Sequence, residues 1–125
     1  MPNLKIQRVR FSTEADNRLR MLKARTGLTP NIICRLGLCL SIEESGDPRS
    51  DSSALSLREI NRYTLLGEYD PLFVALLANR HPEAKDDAEV GKLFVEHIHR
   101  GIALLANRLK SPAAIAELAH RGVAS

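Results

Sequence analysis

Val9 and Phe11 alternate with Arg8, Arg10 and Ser12. This period-two pattern, begun at Gln7, predicts a short strand with an apolar and a basic face. The period then lengthens to that of a helix. Ser12 or Thr13 suits an N-cap, and Glu14 and Asp16 fall in the first turn, where the helix dipole favours anions. Ala15, Leu19 and Leu22 form a buried stripe over about Thr13 to Arg25, with Arg18, Arg20, Lys23 and Arg25 on its flanks. Gly27 is a natural stop. Thr29 and Pro30 open a second helix, since proline lacks the N–H that would be unpaired there. That helix, Asn31 to Ile42, is apolar on nearly every face, with Arg35 its only charge. Such a helix needs cover from the rest of the chain and from a second subunit, so an oligomer is expected.

Residues 43–56 read as a polar loop dense in turn formers. Leu57 to Leu66 is a short helix or extended piece, broken at Gly67 to Asp70. Asp70 as cap and Pro71 as first helical residue begin a helix through Leu72 to Ala78 that ends near His81 and Pro82. Asp86 and Asp87 lead into the longest helix, about Ala88 to Leu109, with Val90, Leu93, Phe94, Ile98, Ile102 and Leu105 as its stripe. Ser111 and Pro112 open a last small helix that stops near Gly122. Beyond the first dozen residues nothing reads as a strand. The expected fold class is therefore mainly all-α: a short N-terminal strand followed by helices, with a ribbon-helix-helix-like start, in a compact helical domain that oligomerises. Residues 1–125 form one domain, with 1–42 the basic segment and 57–122 the helical body. In a ribbon-helix-helix protein two chains pair their strands into a ribbon for the major groove.

Composition narrows the function. Aromatics make up 4% with no Trp, which argues against reading single strands by base stacking. No apolar run is long enough to cross a membrane, and the N-terminus has no signal-peptide core, so a cytoplasmic location is expected. The net charge of +3 is unevenly spread. Residues 1–35 hold eight Lys or Arg against Glu14 and Asp16, a local net of +6, whereas the remainder nets −3. A basic third on a mildly acidic body suggests a surface for a polyanion. Arg8 and Arg10 share a strand face, and the Thr29-Pro30-Asn31 helix start offers free N–H groups to a phosphate.

The candidates for chemistry are weaker. Cys34 and Cys39 fit neither a redox nor a zinc motif and read as small core hydrophobes. His97 and His99 lie on different helix faces, and His81 and His120 lack partners at ligand spacing, so all four read as surface or core-edge residues. Glu83, Lys85, Asp86 and Asp87 faintly echo a nuclease site but fall in an interhelical loop. Glu68 and Asp70 with Tyr63 and Tyr69 read as a helix-breaking turn. Gly27, Gly37 and Gly101 are isolated, so no phosphate loop is expected. Ser12 and Cys34 have no base nearby in sequence. No catalytic residue, metal or cofactor is expected.

Two blocks carry a resemblance: Leu22 to Cys34 (LKARTGLTPNIIC) and Asn61 to Asp70 (NRYTLLGEYD). Together they resemble the DndE family of the Dnd system, which places sulfur in the DNA backbone (phosphorothioation), over about residues 5 to 110. The resemblance implies a non-catalytic partner of the sulfur-transfer proteins, a homotetramer that prefers nicked double-stranded DNA. It carries the family's basic motif onto Lys23 and Arg25. The acidic 43–51 loop departs from the pattern. The expected DNA-binding residues are Arg8, Arg10, Arg18, Arg20, Lys23, Arg25, Thr29 and Asn31, with little base specificity. The alternative is a ribbon-helix-helix transcriptional regulator or antitoxin.

Overall fold

The computed structural model describes residues 4–49 and 53–109. The expected helix after Ser111 lies outside them. The chain runs as β1 (Arg8–Ser12), α1 (Thr13–Thr26), α2 (Pro30–Glu43), β2 (Leu55–Asn61), α3 (Arg62–Leu66), a 3-10 turn (Gly67–Tyr69), α4 (Asp70–Arg80) and α5 (Asp87–Arg108). The fold is mainly helical with one small sheet, as the periodicity predicts.

Local chemistry sets most boundaries. The Ser12 hydroxyl accepts from the Ala15 amide and starts α1, and Gly27 ends it at φ 75°, a left-handed conformation that favours glycine. The Asp86 carboxylate accepts from the Glu89 amide and starts α5. Asp70 does not cap α4 as expected. It is the helix's first residue, buried, and its carboxylate lies 2.9 Å from the Arg62 guanidinium. A buried guanidinium requires a counter-charge, and this need overrides the capping preference.

The sheet corrects the sequence reading. β1 pairs antiparallel with β2 of the same chain, matching Val9 with Ile60 and Arg10 with Glu59. The expected pairing of strands from two chains thus gives way to a pairing within one. β2 escaped detection because its pattern is inverted: Leu55 and Leu57 face solvent, while Ser56, Arg58 and Ile60 are half-buried. Polar contacts explain the inversion. The Ser56 hydroxyl donates to the Phe11 carbonyl at 2.8 Å, and Arg58 hydrogen-bonds Asp16.

The core joins Leu4, Val9 and Phe11 to Leu19 and Leu22 of α1, Ile33 and Leu38 of α2, and Phe94, Ile98 and Ile102 of α5. Each such side chain contributes about 1.5–3 kcal/mol on burial. Helices α2 and α5 meet backbone to backbone. A Cβ on Gly101 would stand 2.1 Å from the Gly37 carbonyl oxygen, so only glycine fits at this crossing. Burial of α2 is one-sided: Ile33, Cys34, Gly37, Leu38 and Ser41 are covered, whereas Leu36 is 43% exposed. Cys34 matches the core reading, and burial pushes its thiol pKa up to about 12. Cys39 does not match, being exposed on the uncovered side. Among the described residues no helix is long and apolar enough to cross a membrane.

Candidate nucleic-acid interface

Val9 and Phe11 are fully buried, and this turns Arg8 and Arg10 of β1 outward on one face. The fixed stripe of α1 likewise places its cations on two edges. Helical geometry groups Arg20 with Lys23 on one flank and Arg18 with Arg25 on the other. Lys23 and Arg25, two apart, therefore point to different sides of the helix, and both are exposed.

The cations differ in how far their charge is already answered. Arg8 meets Glu59 across the sheet at 3.0 Å, Arg18 meets Glu14 at 2.6 Å, and Arg20 meets Asp16 at 3.2 Å. Asp16 also takes the Arg58 guanidinium, and that hydrogen bond holds its carboxyl below the usual carboxylate range. One carboxylate thus serves two guanidiniums and leaves excess positive charge. Among the described residues Arg10, Lys23 and Arg25 have no carboxylate within ion-pair distance. Lys23 and Arg25 also sit in the last turn of α1, where cations complement the helix dipole.

Thr29 and Asn31 fall beside the end of α1, across the Gly27 turn. The Thr29 hydroxyl hydrogen-bonds the Asn31 side chain, so neither side chain caps the first turn of α2. The Asn31 and Ile32 amides of that turn therefore have no side-chain cap, while the Ile33 amide bonds the Thr29 carbonyl at 3.0 Å. Arg35, the lone cation of α2, turns elsewhere: its Nε donates to the Leu65 carbonyl at 2.7 Å, tying α2 to α3.

Three histidines overturn their sequence reading, and the fourth, His120, lies outside the described residues. His81 is 1% and His97 0% exposed, and His99 is also buried. His99 Nε2 accepts from the Ser12 amide at 3.2 Å, and its Nδ1 donates to the Val95 carbonyl at 2.9 Å. On the opposite side of α5, His97 Nε2 meets His81 Nε2 at 2.7 Å, and His97 Nδ1 meets the Ser41 hydroxyl at 2.7 Å. Ser41 is fully buried, so this serine–histidine pair has no route to a large substrate. The spacings 41, 81 and 97 give no local signal; only the packing of α2, α4 and α5 brings them together. Burial, reinforced by His81 and Arg100, lowers the His97 pKa to about 4. Around the outer end of this chain gather Asp47, Glu83, Glu89 and Glu96. The molecule is therefore basic along β1 and α1, whereas this corner sets carboxylates among Arg80, Lys92 and Arg100.

Comparison with known proteins agrees with the resemblance noted above. The family model of DNA sulphur modification protein DndE matches residues 8–113. The structure is similar to the crystal structure of DndE from Escherichia coli B7A involved in DNA phosphorothioation modification. That similarity has 31% identity and a TM-score of 0.65, over 80% of this chain and 96% of the other. A glycine-to-lysine mutant of DndE, also involved in DNA phosphorothioation, aligns with 27% identity and a TM-score of 0.63, over 82% and 98% of the two chains. No protein of curated function matches. On the extent of the family match, the chain belongs to the DndE family.

Proposed function

We propose that this chain is a non-catalytic DNA-binding accessory of DNA phosphorothioation, holding duplex DNA beside the sulfur-transfer proteins of the Dnd system. The observation that carries this reading is the exposed, carboxylate-free trio Arg10, Lys23 and Arg25, set among further cations on one contiguous stretch of chain. Cations of this kind release counterions from phosphates, and repetition by symmetry in an oligomer multiplies the effect. Arg8 and Arg18 add to it by exchanging their solvent-accessible carboxylate partners for phosphates, since surface ion pairs hold by no more than about 1 kcal/mol. The exposed Arg20 adds its charge because its partner, the buried Asp16, is already shared with Arg58. Thr29 and Asn31 contribute the amide-rich start of α2. The binding is geometric rather than base-reading, and preference for a nicked duplex follows from its lower bending cost.

The oligomer, a homotetramer in this reading, is supported by exposed Leu36 on α2 together with Leu72 and Leu76 on α4. Leu36→Asp is expected to leave the fold intact and reduce the mass in solution, which light scattering reads directly. The regulator alternative loses support, because β1 finds its partner strand in its own chain.

Binding is tested with random-sequence oligonucleotides, intact, nicked and single-stranded, across a salt series. Tight binding that favours the nicked duplex, with log K falling by roughly 0.9 per contacted phosphate against log salt, is expected. Lys23→Glu with Arg25→Glu should abolish it. Equal affinity in that folded double variant would refute the assignment.

A further inference from the structure

The corner where α2 and α4 end against α5 holds polar groups that DNA binding does not use. His81 is buried, yet its Nδ1 faces two exposed carboxylates: Glu83 Oε1 at 3.0 Å and Asp47 Oδ1 at 3.8 Å. One ligand atom from each of the three residues lies within 4.8 Å of the others. Tetrahedral zinc, with bonds of about 2.0–2.1 Å, sets its ligand atoms roughly 3.3–3.4 Å apart. The two distances from His81 bracket that spacing, so small side-chain movements would close the site.

The groups behind the ring suit the same purpose. Arg100 can only donate, and its Nε reaches the Ser41 hydroxyl oxygen at 2.8 Å. With the Ser41 proton directed to His97 Nδ1, the chain of hydrogen bonds ends in His81 Nδ1–H donating to Glu83. Ser41 has a second lone pair, however, and can instead accept from His97 Nδ1–H. The chain then reverses: His81 Nε2–H donates to His97 Nε2, and the lone pair of His81 Nδ1 faces the carboxylates. Both settings keep one proton on each ring. The second is the arrangement of a metal-bound histidine, whose remote nitrogen donates to a fixed acceptor.

Asp47 is also held in place. Arg80 donates to the carbonyls of Glu44 at 3.4 Å and Gly46 at 3.0 Å, and Arg100 donates to Gly46 at 3.0 Å, fixing the turn before Asp47. Arg80 Nη1 lies 3.5 Å from the Asp47 carboxylate, a loose ion pair that a divalent ion would displace. We propose that Asp47, His81 and Glu83 bind a divalent transition ion, zinc foremost, with His97 as the residue that positions the His81 ring. The imidazole nitrogen selects against magnesium and calcium, which take oxygen ligands. Three protein ligands leave a fourth position for water beside a cleft of about 360 Å³ lined by Glu89, Lys92 and Glu96.

The site is independent of DNA binding and is tested without DNA. Untagged full-length protein is titrated with Zn²⁺ alone and with Mg²⁺ alone by calorimetry, and melted with and without Zn²⁺. One Zn²⁺ per chain, no Mg²⁺ uptake and a Zn²⁺-dependent rise in Tm are expected. Asp47→Asn with Glu83→Gln alters two exposed side chains and should weaken Zn²⁺ binding by roughly a hundredfold or more. His97→Gln should weaken it by about 10–100-fold. At saturating Co²⁺ it should also shift the visible absorption, which a purely structural role would leave in place. No uptake by the wild type, or uptake unchanged in the Asp47/Glu83 double variant, would overturn the proposal and leave the corner as carboxylates paired with His81.

Discussion

The two sides of α5 handle polar chemistry in opposite ways. Toward β1 and α1, all the charged groups but Asp16 are at least partly in solvent around an apolar stripe, and pairs such as Arg8–Glu59 and Arg18–Glu14 are replaceable. Toward the ends of α2 and α4, the polar groups are buried and bonded in series from Arg100 through Ser41 and His97 to His81. The first arrangement leaves charge available to an outside partner at little cost to folding. The second commits its groups to the interior, where an unmet donor or acceptor costs about 1–3 kcal/mol. Binding and stability should accordingly be separable by mutation.

The sharpest break falls where both sides depend on one contact. Gly101→Ala would drive a methyl into the α2 backbone, and a loss of about 3 kcal/mol or more is expected, read by urea denaturation. Acid should separate the two sides next. His97 is held neutral down to about pH 4, against an ordinary value of 6.5, so the unfolded chain binds the extra proton between those limits. Stability is therefore fully present above about pH 6.5 and declines toward pH 4, by about 3 kcal/mol for this group alone. Melting in a chelator across that range checks the slope, and His97→Gln should flatten it. The basic side predicts the converse. Lys23→Glu with Arg25→Glu should change stability by no more than about 1 kcal/mol, chiefly through the α1 dipole, while DNA binding disappears. Smallest of all, Arg8→Ala removes one exposed pair with Glu59 and should move the denaturation midpoint by less than about 0.5 kcal/mol equivalent.

The same contrast decides what could be read from the chain. On the β1 and α1 side, one short segment carries both the stripe and its flanking cations, so periodicity alone places Arg18, Arg20, Lys23 and Arg25. The starts of α1, α2 and α5 were legible because Ser12, Pro30 and Asp86 act within one helical turn. β2 was not legible, since Leu55 and Leu57 occupy its solvent face and its inward positions are filled by Ser56 and Arg58, which find partners only after folding. The histidine corner failed for a related reason. His97 looks peripheral beside His99 until α2 supplies Ser41 and the end of α4 supplies His81. Hydrophobic patterning does not record a buried polar series, and its members share no spacing.

The glycine crossing has a mechanical consequence. Side chains between two helices normally act as a cushion, because rotamers adjust and absorb small displacements. Gly37 and Gly101 leave no cushion, so at this point α2 and α5 behave as two rods in hard contact. Helix α2 is 14 residues long, about 21 Å, and begins at the Thr29 turn beside the basic helix and ends at the turn before Asp47. With its midpoint in that contact, α2 can come no closer to α5, so the spacing of the two helices is set there by backbone rather than by side chains.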